Sequence, residues 1–290
     1  MQMMIFGCGY SGKAIAQAAL TTGAKAAGTN RTAAKTATLA QDGIRSFFFD
    51  GSEFAEALRG ELAGVTHLVQ SIPPGSAGDP LLKLSEGRLR TLCPSLEWVG
   101  YLSTVGVYGD HGGEWVDEKA ECHASPGRSQ ERLQAEAAWL AAGHESDIPV
   151  AVLRLAGIYG PGRNAFVNLS KGTARRIVKK GQVFNRIRVE DIAAATLFLA
   201  EQRHGGIFNI ADDEPGPPQD VILEAARLMG VEPPPEQPFE AADMTPMARS
   251  FYGANKRISN RKIRSLGFEF GFPDYRMSLQ QLWTTELWCA

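Results

Sequence analysis

The sequence lacks the cysteine and histidine patterns that build disulfide frames or metal sites. Its 290 residues include four cysteines and five histidines, and neither residue type recurs at the close spacings of metal ligands. Scattered cysteines in such a chain are typical of reduced thiols in the cytosol. We therefore expect no structural disulfide and no bound metal.

Long apolar runs and an excess of one charge are also missing. No segment approaches the roughly 20 apolar residues needed to cross a bilayer, and the first residues show no cleavable signal pattern. The 30 basic and 32 acidic side chains give a formal charge of −2, so no overall field draws the chain to nucleic acid or to a membrane. These absences favour a cytoplasmic protein that binds a small-molecule substrate.

The start of the sequence predicts a strand, a glycine-rich turn and a helix. The apolar residues MMIF run into GCGYSG, and an alanine-rich helical pattern follows. At this spacing Gly7 permits the tight turn, Gly9 lets the backbone approach a pyrophosphate, and Gly12 lets the helix pack on the strand. The phosphates then lie at the helix N-terminus, beside Tyr10 and Ser11, where the helix dipole favours negative charge. The pattern predicts dinucleotide binding, and a glycine turn without a ligand is the alternative.

The end of the second predicted strand, AKAAGTN, indicates which dinucleotide is favoured. An acidic residue at this position would bond the ribose hydroxyls and repel a 2′-phosphate. This chain has Asn30, Arg31 and Thr32 instead. A guanidinium pairs with phosphate through two charge-assisted hydrogen bonds, and the two polar neighbours can add others. NADP(H) is therefore favoured over NAD(H), unless Arg31 is an exposed loop cation without a ligand.

Strands and helices continue to alternate along the chain. GIRSFFFDG predicts a third strand ending at Asp50, THLVQSIPP a fourth, LEWVGYLST a fifth and VAVLRLAGIYG a sixth. This order predicts an α/β fold with a Rossmann-type, doubly wound parallel sheet, in which ligands lie at the carboxyl ends of the strands. The other residues expected at that edge are Gln70, Ser71, Ile72 and Pro73 for the cofactor, then Ser103, Thr104 and the segment from Ala156 to Tyr159.

Several segments of the sequence resemble the extended short-chain dehydrogenases, which include the NAD-dependent epimerases and dehydratases. These are LSTVGVYGD followed by VDE, LRLAGIYGPGR, NRIRVEDIAAA with Arg188 in place of a histidine, and FNIADDEP. The GxGxxG spacing, SIPPG and NKRISNRKIRSLGF are similar to those of an atypical bacterial branch of this family that is assigned to oxidoreductases. The resemblance implies a Rossmann domain over 1–160 and a small, interleaved C-terminal substrate-binding cap over 161–290, with 183–212 returning to the sheet.

The chain departs from this family at its YxxxK pair, in which tyrosine moves a proton and lysine holds the nicotinamide ribose. Alignment on Glu136 places Arg128 and Arg132 at these positions. An arginine stays protonated near neutral pH, so Arg128 cannot replace the tyrosine as an acid or base. Arg132 remains able to bind the ribose. No tyrosine lies between Tyr108 and Tyr159, so a small shift of the alignment does not restore the pair.

Other side chains therefore become the candidates for catalysis and substrate binding. In the resembling enzymes the residue at Ser103 hydrogen-bonds a substrate hydroxyl or carbonyl. Tyr108 is the candidate substitute acid, although a tyrosine in such a turn can also be a packing residue. Thr104, Tyr159 and Arg163 are expected to contact the substrate.

Two functions follow from this sequence. One is an NADP(H)-dependent oxidoreductase or epimerase that lacks the usual Tyr–Lys pair, and the other is an NADP(H)-binding sensor that has lost catalysis. Basic residues from Lys171 to Lys180 recur at helical spacing and either grip an anionic substrate or form a solvated helix face. The family resemblance also admits a homodimer.

Overall fold

The computed structural model describes residues 1–290, whose strands form one seven-stranded sheet and three two-stranded sheets. The strands are β1 Gln2–Phe6, β2 Lys25–Asn30, β3 Arg45–Phe48, β4 His67–Gln70, β5 Trp98–Thr104, β6 Trp115–Val116, β7 Val150–Leu155, β8 Gly157–Tyr159, β9 Arg176–Val178, β10 Arg186–Arg188, β11 Gly206–Ile210, β12 Glu236–Pro238 and β13 Arg257–Ile258. The helices are α1 Tyr10–Thr21, α2 Ala33–Gln41, α3 Glu56–Leu62, α4 Pro80–Ser85, α5 Leu89–Leu92, α6 Arg128–Ser146, α7 Ala165–Ser170, α8 Val189–Glu201, α9 Pro218–Met229, α10 Pro246–Ser250, α11 Arg261–Ser265 and α12 Tyr275–Thr284. None of them combines the length and apolar character that a bilayer crossing requires.

The large sheet has seven strands in the order β11-β7-β5-β4-β1-β2-β3. Neighbouring strands run parallel, and Ile5 in β1 lies opposite Gly28 on one side and Val69 on the other. The chain winds from β1 outward to β3, then crosses back to β4 on the other side of β1. The crevice at this reversal is where doubly wound folds bind their ligands. The predicted Rossmann-type sheet is confirmed.

Burial of the central strands explains their composition. Every residue of β4 and β7 is buried, and β1 and β5 each have one residue that is not fully covered. Parallel strands covered on both faces are expected to be almost continuously apolar. Between the sheet and α6, the core includes Tyr101, whose ring stacks on Trp139 with centroids 6.3 Å apart.

The chain divides into two compact units, each built from three separate segments. The first unit comprises 1–107, 124–155 and 192–208, and the second comprises 108–123, 156–191 and 209–290. This division differs from the expected boundaries at four places, because 108–123, 156–160, 183–191 and 209–212 pack with the second unit. The reason for the first difference is that β6, within 108–123, pairs with β13 near the end of the chain.

Two local expectations were wrong. The predicted sixth strand is two strands, because β7 stays in the large sheet whereas β8 pairs with β10 in a separate two-stranded sheet. The basic residues after α7 do not form a helix face. Helix α7 ends at Ser170, Gly172 adopts a left-handed φ of 65°, and Arg176 begins strand β9. Arg176 pairs with Glu236, and Lys179 donates to the Tyr252 carbonyl.

Candidate functional site

The glycine turn between β1 and α1 has the local geometry that the sequence predicts. Gly7 has a φ of 80°, and a Cβ there would lie 2.9 Å from Ile72 Cγ1. A Cβ on Gly12 would lie 3.0 Å from Ile5 Cγ2 and 3.1 Å from the Gly7 carbonyl oxygen. Gly9 is different, since a Cβ there would meet only the Gly7 oxygen at 4.0 Å. The turn is therefore tight at Gly7 and Gly12 and open at Gly9, as a pyrophosphate cradle requires.

The end of β2 holds this turn in place. Thr29 Oγ1 accepts from the Gly7 N–H at 3.1 Å, and the Thr29 carbonyl accepts from the Cys8 N–H at 2.8 Å. The Asn30 side-chain amide donates to the Cys8 carbonyl at 3.2 Å. Asn30 thus supports the turn through its amide group, a role that the sequence did not indicate.

A second unpredicted contact lies beneath the turn. A Cβ on Gly28 would lie 2.7 Å from both Cβ and Sγ of Cys8, so residue 28 must be glycine for Cys8 to pack on β2. Burial raises the pKa of the Cys8 thiol to about 12. This cysteine is consequently a packing group rather than a nucleophile.

The residues after β2 present a positive charge to solvent. Arg31 is exposed and forms no ion pair. Thr32 caps helix α2, and its hydroxyl oxygen accepts from the Lys35 N–H at 3.4 Å. No carboxylate follows β2, and the positive end of the α2 dipole lies next to Arg31. The local charge suits an anionic group.

Asp50 follows β3 and is exposed. Its Oδ1 accepts from both the backbone N–H and the hydroxyl of Ser52, at 2.9 and 2.6 Å. These hydrogen bonds, the hydroxyl first, lower the pKa of the Asp50 carboxyl. Its second oxygen remains available as an acceptor at the edge of the sheet.

The segment after β4 has one buried residue and three that are more accessible. Gln70 is fully buried, its Nε2 donates to Asp79 Oδ2 at 2.8 Å, and its Oε1 accepts from the Ile72 N–H at 3.2 Å. Gln70 was expected to contact the cofactor, but its side chain is directed into the protein. Ser71 and Ile72 are half-buried and Pro73 is exposed, which leaves these three at the crevice.

The end of β5 presents two hydroxyl groups with different surroundings. Ser103 is 3% exposed, and its hydroxyl donates to the Glu136 carboxylate. Arg154 binds both oxygens of that carboxylate, and its Nη2 lies 2.7 Å from Oε2. Thr104 is half-buried, and its Oγ1 accepts from the Gly106 N–H at 3.1 Å. The Ser103 proton is therefore held by a buried ion pair, and Thr104 carries the more accessible hydroxyl.

Helix α6 carries both arginines that occupy the positions of the Tyr–Lys pair. Arg128 is exposed at the first helical position, and Arg132 follows one turn later. Arg132 Nη1 donates to the Leu102 carbonyl at 2.5 Å. The Tyr101 hydroxyl lies near Arg132, but burial raises the pKa of this phenol against the lowering effect of the Arg132 charge. Tyr101 is thus a fully buried phenol that is poorly suited to donate a proton.

The remaining candidates belong to the second unit. Tyr108 is fully buried, and its hydroxyl donates to Asn209 Oδ1 at 2.8 Å, as expected of a packing tyrosine. Burial also raises the pKa of the Tyr159 phenol. Arg163 is exposed in the tight turn that it closes with Gly160. Neither phenol has the accessible, easily ionised character of a general acid.

The first unit therefore brings most of the predicted cofactor residues to the carboxyl edge of its strands. The glycine turn, Arg31, Asp50 and the segment from Ser71 to Pro73 lie at that edge. Sequence reasoning missed Gly28, Asp79, Glu136 and Arg154 as supporting residues. Only Glu136 carried a signal, since a carboxylate on an otherwise buried helix face requires a partner.

Comparison with known proteins gives a consistent family assignment. The model of the NAD dependent epimerase/dehydratase family matches residues 3–211. Protein YeeZ of Escherichia coli strain K12 is 33% identical over 183 residues, which are 60% of this chain and 58% of YeeZ. The chain thus matches little more than half the length of this relative.

Solved structures agree over a longer span. A functionally unknown conserved protein of Silicibacter pomeroyi DSS is 42% identical, with a TM-score of 0.90 over 98% of each chain. The human epimerase family protein SDR39U1, solved with NADPH, has a TM-score of 0.72 over 98% of this chain and 99% of its own, at 15% identity. Other structures with this fold were solved with NAD.

Proposed function

Since the chain belongs to the NAD-dependent epimerase/dehydratase family, we propose that it is an NADP(H)-dependent oxidoreductase or epimerase acting on a small molecule. The observation that carries the cofactor choice is the exposed, unpaired Arg31 directly after β2, where no carboxylate is present. A 2′-phosphate at this position would lie beside the Arg31 guanidinium and the positive end of the α2 dipole. Gly9 leaves space for the pyrophosphate between these groups and the crevice.

The bound nicotinamide would supply or accept a hydride. A proton must then be added to the substrate oxygen or removed from it. Thr104 carries the more accessible hydroxyl at the end of β5, which supports a role in hydrogen-bonding that oxygen. An aliphatic hydroxyl does not ionise near neutral pH, so Thr104 orients the substrate rather than supplying the proton. Arg128 stays protonated near neutral pH, so on this proposal it stabilises negative charge on the substrate oxygen and does not supply the proton. On this proposal the proton comes from water.

Removing the Arg31 guanidinium tests the cofactor assignment. In Arg31→Ala we expect NADPH affinity to fall roughly 5- to 150-fold, the equivalent of about 1–3 kcal/mol for a charge-assisted contact. NADH affinity should remain within about twofold, because NADH lacks the 2′-phosphate. Titration calorimetry of both dinucleotides with both proteins measures this difference.

Arg31→Lys serves as the matched control, since it keeps the charge and loses the forked geometry. Its NADPH affinity should lie between those of the parent and the alanine variant. Equal losses for NADPH and NADH in Arg31→Ala would contradict the 2′-phosphate contact. Failure of the parent chain to bind either dinucleotide would overturn the proposed function.

The second candidate is an NADP(H)-binding sensor without turnover. It is favoured by the positions of Ser103 and Tyr108, whose hydroxyls both donate to buried protein groups. The two candidates differ when the protein, saturated with NADPH, is incubated with a panel of aldehydes and ketones. We expect slow oxidation of NADPH with at least one carbonyl compound. No oxidation, together with different protease sensitivities of the NADP⁺- and NADPH-bound forms, would instead identify the sensor.

A further inference from the structure

A buried hydrogen bond closes the loop between β4 and α4. Gln70 ends β4 and Asp79 caps α4, and both side chains are almost completely buried. Gln70 Nε2 donates to Asp79 Oδ2 at 2.8 Å. Asp79 Oδ1 accepts from the backbone N–H groups of Leu81 and Leu82, at 2.9 and 3.3 Å. One carboxylate therefore joins the end of the strand to the start of the helix.

The same contact fixes the start of the loop. Gln70 Oε1 accepts from the Ile72 N–H at 3.2 Å, so both polar atoms of the Gln70 amide group form hydrogen bonds. Ile72 in turn lies against the glycine turn, where its backbone nitrogen would be 3.0 Å from a Cβ on Gly7. The Gln70–Asp79 pair thus sets the position of a backbone segment that touches the turn. Neither side chain is exposed to a ligand itself.

The order of the strands indicates which part of a dinucleotide this segment would meet. β4 and β2 lie on opposite sides of β1. Arg31 and the expected 2′-phosphate lie on the β2 side, and the pyrophosphate lies at the turn after β1. The half of the dinucleotide that carries nicotinamide therefore extends toward β4 and β5.

We infer that Gln70 and Asp79 are positioning residues for the nicotinamide half of the dinucleotide, acting through the backbone of Ser71 and Ile72. This inference rests on the proposed dinucleotide binding. The carboxylate is essential to the arrangement because both of its oxygens accept hydrogen bonds from protein donors. Burial raises the pKa of the Asp79 carboxyl, and the hydrogen bonds from Gln70, Leu81 and Leu82 oppose this increase, in agreement with a buried carboxylate held by donors.

The variant Asp79→Asn tests the inference, because the asparagine keeps the shape and the helix cap but directs a donor at Gln70. We expect NADPH to bind roughly tenfold more weakly, because the backbone of Ser71 and Ile72 is no longer held in position for the nicotinamide half. Adenosine 2′,5′-bisphosphate contains only the adenosine end, and its affinity should change by less than about twofold. Arg31→Ala should weaken both ligands, which separates the two ends of the site.

Reversing the polarity of the pair provides the decisive control. In Gln70→Glu/Asp79→Asn the new carboxylate accepts from Ile72 and from the asparagine, so most of the lost NADPH affinity should return. Asp274→Asn is the matched substitution at the cap of α12, a helix of the second unit, and it should leave NADPH affinity unchanged. Hydrogen exchange of the Ile72 amide without ligand should be faster in Asp79→Asn and return toward the parent rate in the double variant.

Several results would overturn the inference. These are an equal loss of both ligands in Asp79→Asn, an unchanged NADPH affinity, an unchanged exchange rate at Ile72, or no recovery in the double variant. If the parent binds NADPH normally, each of these outcomes leaves the proposed function standing. Absence of NADPH binding to the parent overturns the proposed function and this inference together.

Discussion

Replacing Glu136 by alanine is expected to lower the free energy of unfolding by about 3–5 kcal/mol, because it leaves a buried arginine without its counter-ion. Arg154 is 3% exposed and Glu136 is 2% exposed, so water cannot replace the lost carboxylate. The Ser103 hydroxyl also loses its acceptor. Urea denaturation at neutral pH, monitored by tryptophan fluorescence, measures the change.

The matched control removes both charges. Glu136→Leu/Arg154→Leu should recover most of the loss, since a well-packed apolar pair can replace a buried ion pair at little cost. Glu136→Gln should fall between the parent and the alanine variant. A loss of less than about 1 kcal/mol in Glu136→Ala would show that this ion pair is solvated in the folded protein.

Introducing valine at Gly9 is expected to weaken NADPH binding at least a hundredfold, which corresponds to about 2.8 kcal/mol. The side chain would project into the open space where the pyrophosphate is expected. The backbone at Gly9, with φ −86° and ψ −148°, does not require glycine. The cost in stability should therefore be limited to the poorer helix cap, about 1 kcal/mol. Calorimetric titration and thermal unfolding of the same samples separate the two effects.

Gly9→Ala and Gly12→Ala are the controls for Gly9→Val. Gly9→Ala should show a smaller loss of affinity, because it adds a single methyl group. Gly12→Ala should instead lose stability, since its Cβ would lie 3.0 Å from Ile5 Cγ2 in the buried interface between α1 and β1. If Gly9→Val bound NADPH as tightly as the parent, the pyrophosphate would have to lie elsewhere.

The parts of the fold that are set by short local patterns of residues could be predicted from the sequence. The turn from Gly7 to Gly12 and the buried strands that precede each crevice residue are local patterns. The basic segment after α7 was misread for a local reason as well. Its charges have helical spacing, but Gly172 ends the helix with a left-handed φ, which the charge pattern does not show.

The orientation of side chains at the site could not be predicted in the same way. Alternation along β5 places Ser103 and Thr104 on opposite faces of the sheet. It does not show which of the two hydroxyls is bound by buried protein groups. The Ser103 hydroxyl donates to Glu136 of α6, and Arg154 of β7 holds that carboxylate in turn. Gln70 is turned inward by Asp79 across a loop. These contacts join residues whose distance in sequence gives no indication of their distance in space.

The order in which the chain builds its two units has a consequence for synthesis. The first unit requires the segment 192–208, and strand β11, at Gly206–Ile210, is the last neighbour added beside β7. A nascent chain leaving the ribosome therefore exposes one side of β7 until residue 210 of 290 has emerged. Unpaired strand edges of this kind are where newly made chains aggregate. The interval between the emergence of β7 and β11 is thus when this edge is open to pairing with another chain.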